Sequence, residues 1–86
     1  MTAFVGRVRV MPRAGLLDPQ GHAIQHALGA LGFEGVRQVH VGRTFEVTIE
    51  AGTADEVQGR LRAMCEKLLT NPVTEDFTIE AVEAAR

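Results

Sequence analysis

The chain has 86 residues, 45% of them hydrophobic, with a formal net charge of −2 at pH 7 and a pI near 5.9. This makes one small globular domain (residues 1–86) and argues against disorder and against a nucleic-acid surface, which needs clustered positive charge. The single cysteine, Cys65, excludes an intramolecular disulfide and a Cys-rich metal site.

Four Phe and no Trp or Tyr leave a core of Val, Leu, Ile, Ala and Met. A domain of this size is marginal on surface-to-volume grounds, and oligomerisation is a common remedy. No signal peptide, membrane span or lipidation motif is legible, so a cytoplasmic location is expected.

Phe4, Val8 and Val10 alternate with Arg7 and Arg9, which predicts a half-buried strand that Pro12 and Gly15 end. Asp18 is a good N-cap and Pro19 a good first helical residue. Ile24, Ala27, Leu28 and Leu31 follow at helical spacing, and Gly32 closes the helix with Phe33 set back against Leu28. The run VRQVHVGRTFEVTIE, Val36 to Glu50, reads as two strands around Gly42-Arg43. An odd turn would pair Val41 with Phe45 and Val39 with Val47, giving one apolar face. His40 would then lie across from Glu46, and Arg7 and Arg9 would neighbour Glu46 and Glu50.

Thr53 to Glu56 forms a capping box for a second helix, with Val57, Leu61, Met64 and Leu68 as its stripe. Asn71-Pro72 stops it, and a last strand runs from Glu75 to Val82. The sum is an α+β domain of order βαββαβ, related to the ferredoxin-like folds. Its antiparallel sheet carries four strands with two helices on one face, and the last strand is free to pair in its own sheet or exchange between protomers.

Chemistry-bearing residues are sparse. His22 and His26 share a helix face but lack an HExxH glutamate and a third ligand, and they sit opposite the apolar stripe. His40 has no nucleophile or orienting group beside it. Cys65 has no His or CxxC partner and borders a core stripe, where it reads as a small hydrophobe. The glycines form neither GxGxxG nor a P-loop. No catalytic residue and no metal site is therefore expected, and no cofactor on this chain.

The stretch GLLDPQG, Gly15 to Gly21, is unusual for a monomer. Two leucines sit in a loop, and Leu17 would have to staple against His22, a poor match. Gly21 falls inside the first helical turn, where glycine costs up to ~1 kcal/mol against Ala but permits close approach of another backbone.

The run from Val8 to Gly21, VRVMPRAGLLDPQG, resembles the opening of the PurS family, the small subunit of phosphoribosylformylglycinamidine synthase. The similarity continues through Ala27-Leu28, Leu31-Gly32-Phe33, Val36 and Val41-Gly42-Arg43. It resumes at Met64 to Val73 and at Glu75-Asp76-Phe77. Arg13 and Arg43 stand where the family usually has Lys.

The resemblance implies a non-catalytic subunit in purine biosynthesis. It would bridge a glutaminase and a large synthetase subunit and assist ammonia transfer between them. The complex is a carbon–nitrogen ligase that converts formylglycinamide ribonucleotide to formylglycinamidine ribonucleotide, with glutamine as amido donor and ATP and Mg on the synthetase subunit. Self-association as a dimer or tetramer is implied as well. The partner-interface candidates are Arg13, Leu16, Leu17, Asp18, Gln20, Gly21, Arg43, Asn71 and Pro72. A ferredoxin-like small-molecule-sensing regulatory domain is the alternative.

Overall fold

The computed structural model describes residues 2–85. The elements are β1 (Thr2–Pro12), α1 (Pro19–Ala30), β2 (Arg43–Ala51), α2 (Ala54–Met64) and β3 (Glu75–Ala84), with a π-helical turn, Cys65–Leu69, continuing α2. The sheet is antiparallel with strand order β2-β1-β3, so the last strand pairs with β1 of its own chain. Val8 faces Phe45 on one side and Ile79 on the other, and a register shift between Arg7 and Val8 lets β3 carry one extra residue. Alternation places Val8, Val10, Ile49 and Ala51 on the inner face, where Val57, Leu61 and Cys65 of the second helix close the core. On the outer face Arg7 donates to Glu46 at 3.3 Å, as the strand pattern predicts.

The α+β class and the antiparallel sheet agree with the sequence reading, but the sheet has three strands rather than four. The predicted strand before Gly42 does not form, and two of its backbone groups bond to α1 and its N-cap instead. The Val41 N–H donates to Asp18 Oδ2 at 2.8 Å, and Gln25 Nε2 donates to the Arg37 carbonyl at 3.1 Å. His40 accordingly lies 3.7 Å from Asp18, not across from Glu46. The inner-face assignment of Phe45, Val47 and Ile49 stands, with β1 as the strand that β2 pairs with.

Helix α1 is built as its caps dictate. Asp18 accepts from the Gly21 N–H at 3.0 Å, and Pro19 occupies the first turn. At the far end Phe33 N donates to Leu28 O and Gly32 N to Gly29 O, with Gly32 at φ +92, a Schellman close. Yet α1 does not pack on the sheet; α2 alone touches all three strands. Gly21 is the sole buried residue of α1. It is small because a Cβ there would run into the Val39 carbonyl of the same chain. The backbone that the glycine admits is thus the chain's own.

The second helix also departs from its predicted stripe. Thr53 caps Glu56 N at 3.2 Å, while the Glu56 carboxylate takes the Gly52 N–H at 2.9 Å. At Cys65 the ladder widens, and Thr70 N reaches back to the Cys65 carbonyl. The extra residue rotates the face by one position. Cys65 and Leu69 turn inward, and Leu68 is left 82% exposed. Burial pushes the Cys65 thiol up from its ordinary value, which suits an inert core residue.

Two glycine replacements separate these causes. Gly29 has open space around a would-be Cβ, so Gly29→Ala should stabilise by up to ~1 kcal/mol through helix propensity. Gly21→Ala should instead destabilise by about 1–3 kcal/mol, because the methyl meets the Val39 carbonyl. Urea unfolding midpoints of the two variants check the opposite signs.

Candidate functional site

One end of the sheet gathers the exit of β1 and the entries of β2 and β3, since Val10 pairs with Arg43 and Pro12 with Glu75. The loop that leads into α1 folds over this end. Between them lies an open groove of about 660 Å³, walled by Pro12, the stretch Leu16 to Gln20, Val41 to Arg43, and Thr74-Glu75. Eight of the nine residues singled out from the sequence lie in this groove or bond to its walls, and Pro72 is tied to it through Arg13.

Arg43 is the pivot. Its guanidinium forks onto the Glu75 carboxylate at 2.5 and 2.8 Å, and Nη2 also donates to the Leu69 carbonyl at 3.0 Å. Glu75 in turn accepts the Asn71 N–H at 2.8 Å, while Asn71 Oδ1 accepts from Val73 N. One fork therefore ties the start of β2, the end of the second helix and the start of β3. A lysine ammonium is a single point and does not reproduce a planar fork that serves two acceptor groups. Arg43 above all, then Asn71, hold the Glu75 carboxyl below its ordinary value.

Arg13 makes a parallel tie. It donates to the Pro72 carbonyl at 2.6 Å and sits 3.3 Å from Asp76. Asp18 makes the third. Its two oxygens accept from Gly21 N and Val41 N, so one carboxylate caps α1 and fastens the segment leading into β2. The Gly21 and Val41 N–H groups, followed by His40, lower its pKa.

The nine candidates thus divide into two groups. Arg13, Asp18, Gly21, Arg43 and Asn71 are committed within the chain and build the corner. Leu16, Leu17, Gln20 and Pro72 are presented on it; Leu16 is 43% and Leu17 81% exposed. Leu17 staples nothing. Sequence reasoning passed over Glu75 as a site residue. Its signal was an acidic residue four places after Asn71, at the head of a strand, where it satisfies the first free N–H after the helix.

His22 and His26 stack edge to face with centroids 4.8 Å apart on α1, away from this groove. Among the described residues no group of three or more His, Cys, Asp or Glu gathers in metal-binding geometry. No helix among them is long and apolar enough to cross a membrane.

The geometry defines a small α+β domain in which Arg13, Asp18, Arg43, Glu75 and Asp76 rigidify an exposed, leucine-bearing corner. Residues 6–83 match the family model PurS, Phosphoribosylformylglycinamidine (FGAM) synthase, and the chain belongs to that family. It is 49% identical over 72 residues to the PurS subunit of Mycobacterium leprae, covering 84% of this chain and 87% of that one. Thermus thermophilus PurS superposes with a TM-score of 0.86 at 32% identity, covering 98% of this chain and 99% of that one. A chain of the PurLQS structure from Thermotoga maritima superposes with a TM-score of 0.83 at 27% identity, over 99% and 100%.

The lowered Asp18 and Glu75 values fix the sign of a pH dependence. Carboxylates whose folded pKa is depressed contribute stability that is present above the unfolded value and lost as pH falls through the folded one. The ordinary values are 3.8 and 4.5, so the urea midpoint should be level from neutral pH down to about 5 and fall below about 4. Asp18→Asn should lower the plateau and flatten part of that acid limb. An unchanged limb would show that the Asp18 bonds contribute nothing.

Proposed function

We propose that this chain is the small, non-catalytic subunit of a phosphoribosylformylglycinamidine synthase. It bridges the glutaminase and synthetase subunits and assists ammonia transfer between them. The observation that carries this reading is the match of nearly the whole chain to one chain of PurLQS. The corner supplies the physical means. Loop leucines held out on a rigid frame, with their neighbouring charges already satisfied, give apolar contact at little entropic cost. Ammonia released into bulk water is protonated and loses its nucleophilicity, so a protein-sealed path between the two reactions is required. Leu16, Leu17, Gln20 and Pro72 make the contact; the other five candidates hold them in place. ATP and Mg belong to the synthetase subunit.

Self-association is part of the same reading. A compact 86-residue domain has a radius of gyration of about 12 Å; this chain has 16.5 Å, with extents of 52 × 29 × 14 Å. Its accessible surface is 6171 Å², where a compact monomer of this mass exposes about 5,000 Å². The excess matches or exceeds the ~800 Å² that each partner gives to a standard interface.

Reconstitution tests the function. The synthetase and glutaminase subunits from the same source, mixed with this chain, should make product from glutamine, and without it they should not. Leu16→Asp should cut glutamine-dependent synthesis by about 10-fold or more while leaving synthesis from added ammonia nearly unchanged. Equal activity with and without the chain would overturn the reading, and intact coupling in Leu16→Asp would remove the corner from it.

A further inference from the structure

Helix α1 lacks the usual electrostatic supports of a surface helix. Pro19–Ala30 contains no Asp, Glu, Lys or Arg, so no ion pair runs along it, no acidic residue sits in its first turn and no basic one in its last. It also stands off the sheet, held by the Asp18 cap and by the bond from Gln25 to the Arg37 carbonyl. Its two titratable side chains are His22 and His26. Both are exposed, and their spacing sets them one turn apart on the face away from Ile24, Leu28 and Leu31. The third histidine, His40, is engaged elsewhere, 3.7 Å from Asp18.

The geometry points to a divalent transition-metal site at this pair, where one ion staples His22 to His26 across a turn of α1. The two rings already approach each other, with centroids 4.8 Å apart and planes at 64°. Two imidazole nitrogens bound about 2.0–2.1 Å from one tetrahedral ion put their ring centres about 5 Å apart. Rotation about the side-chain bonds is therefore enough to bring a nitrogen of each ring onto one ion, with no backbone movement. Imidazole suits Zn²⁺, Ni²⁺ and Cu²⁺, whereas Mg²⁺ and Ca²⁺ take oxygen ligands. Among the described residues no cluster of three or more His, Cys, Asp or Glu forms, so the ion's remaining positions go to water or to another molecule. That is the pattern of an exchangeable site rather than a closed structural one. An open hollow of about 500 Å³ borders His26, between Gln25, Gly29, Ala30 and Val36, and leaves room for those ligands. Both nitrogens meet the ion only when the intervening backbone is helical, so binding stabilises α1 itself.

Calorimetric titration of the untagged full chain with Zn²⁺ and with Ni²⁺ reads the site. The expected result is saturable uptake of one ion per chain, and none of Mg²⁺. His22→Ala and His26→Ala should each weaken uptake by about 10-fold or more, because each leaves a single ligand. His26→Ala combined with Ala27→His keeps two imidazoles but turns one off the shared face, and should weaken uptake as much. His40→Ala should leave it unchanged. Zn²⁺ should also slow exchange of amides 23–30 in the unsubstituted chain and not in His22→Ala. Far-ultraviolet circular dichroism checks that each variant keeps its fold. No saturable uptake of either ion would overturn the inference. So would uptake that survives when the second histidine is moved, or uptake that depends on His40 instead of the pair.

Discussion

Among the described residues the buried apolar core consists of seven, and every one of them lies between α2 with its π-turn and the sheet. That is enough apolar surface to hold one helix on three strands and too little to hold a second. The rest of the architecture follows from this limit. Helix α1 swings off the sheet and carries the segment 36–42 with it. The chain becomes elongated, and leucines and a phenylalanine are left in water. An isolated protein gains nothing from such exposure, whereas a subunit that completes its burial against other chains does.

Polar interactions then do what the core cannot. Three ties, Arg43 to Glu75, Arg13 to Pro72 and Asp76, and Asp18 to Gly21 and Val41, fix the end of the sheet where the loop turns into α1. Most of these groups are partly solvent-exposed, so each tie is worth little as bulk stability. Their effect is geometric. They set the angle at which α1 leaves the domain and the position at which Leu16 and Leu17 face outward. The corner is thereby ordered before any partner arrives, which lowers the entropy lost on binding.

The local signals in the sequence were strong and proved reliable. Asp18-Pro19, Gly32-Phe33 and Thr53 to Glu56 name their caps, and the alternation in β1, β2 and β3 names the inner face. The failures are tertiary. The segment Val36 to Val41 has strand-like residues, but its Val41 N–H goes to Asp18 and its Arg37 carbonyl to Gln25, a competition invisible to periodicity. Leu68 fits the helical stripe by spacing, yet the π-turn at Cys65 moves it into water and brings Leu69 in. Gly21 was legible as a close approach, but not as one made by Val39 of the same chain. The corner candidates came partly from unusual chemistry, two loop leucines before a capped helix, and partly from family resemblance. What neither revealed is that five of the nine hold the corner while four present it, because that division depends on partners distant in sequence: Glu75 for Arg43, Asp76 for Arg13 and Val41 for Asp18.

The central claim is that the corner of Leu16, Leu17 and Gln20 is the surface this chain gives to its large partners. Amide hydrogen exchange of the chain alone and with both large subunits tests it most directly. The account predicts that amides 14–17 and 20, apart from Leu16, exchange readily in the free chain, since no hydrogen bond among the described residues protects them, and become protected in the complex. Protection confined to the outer sheet face, with the corner exchanging as fast in the complex as in the free chain, would contradict it.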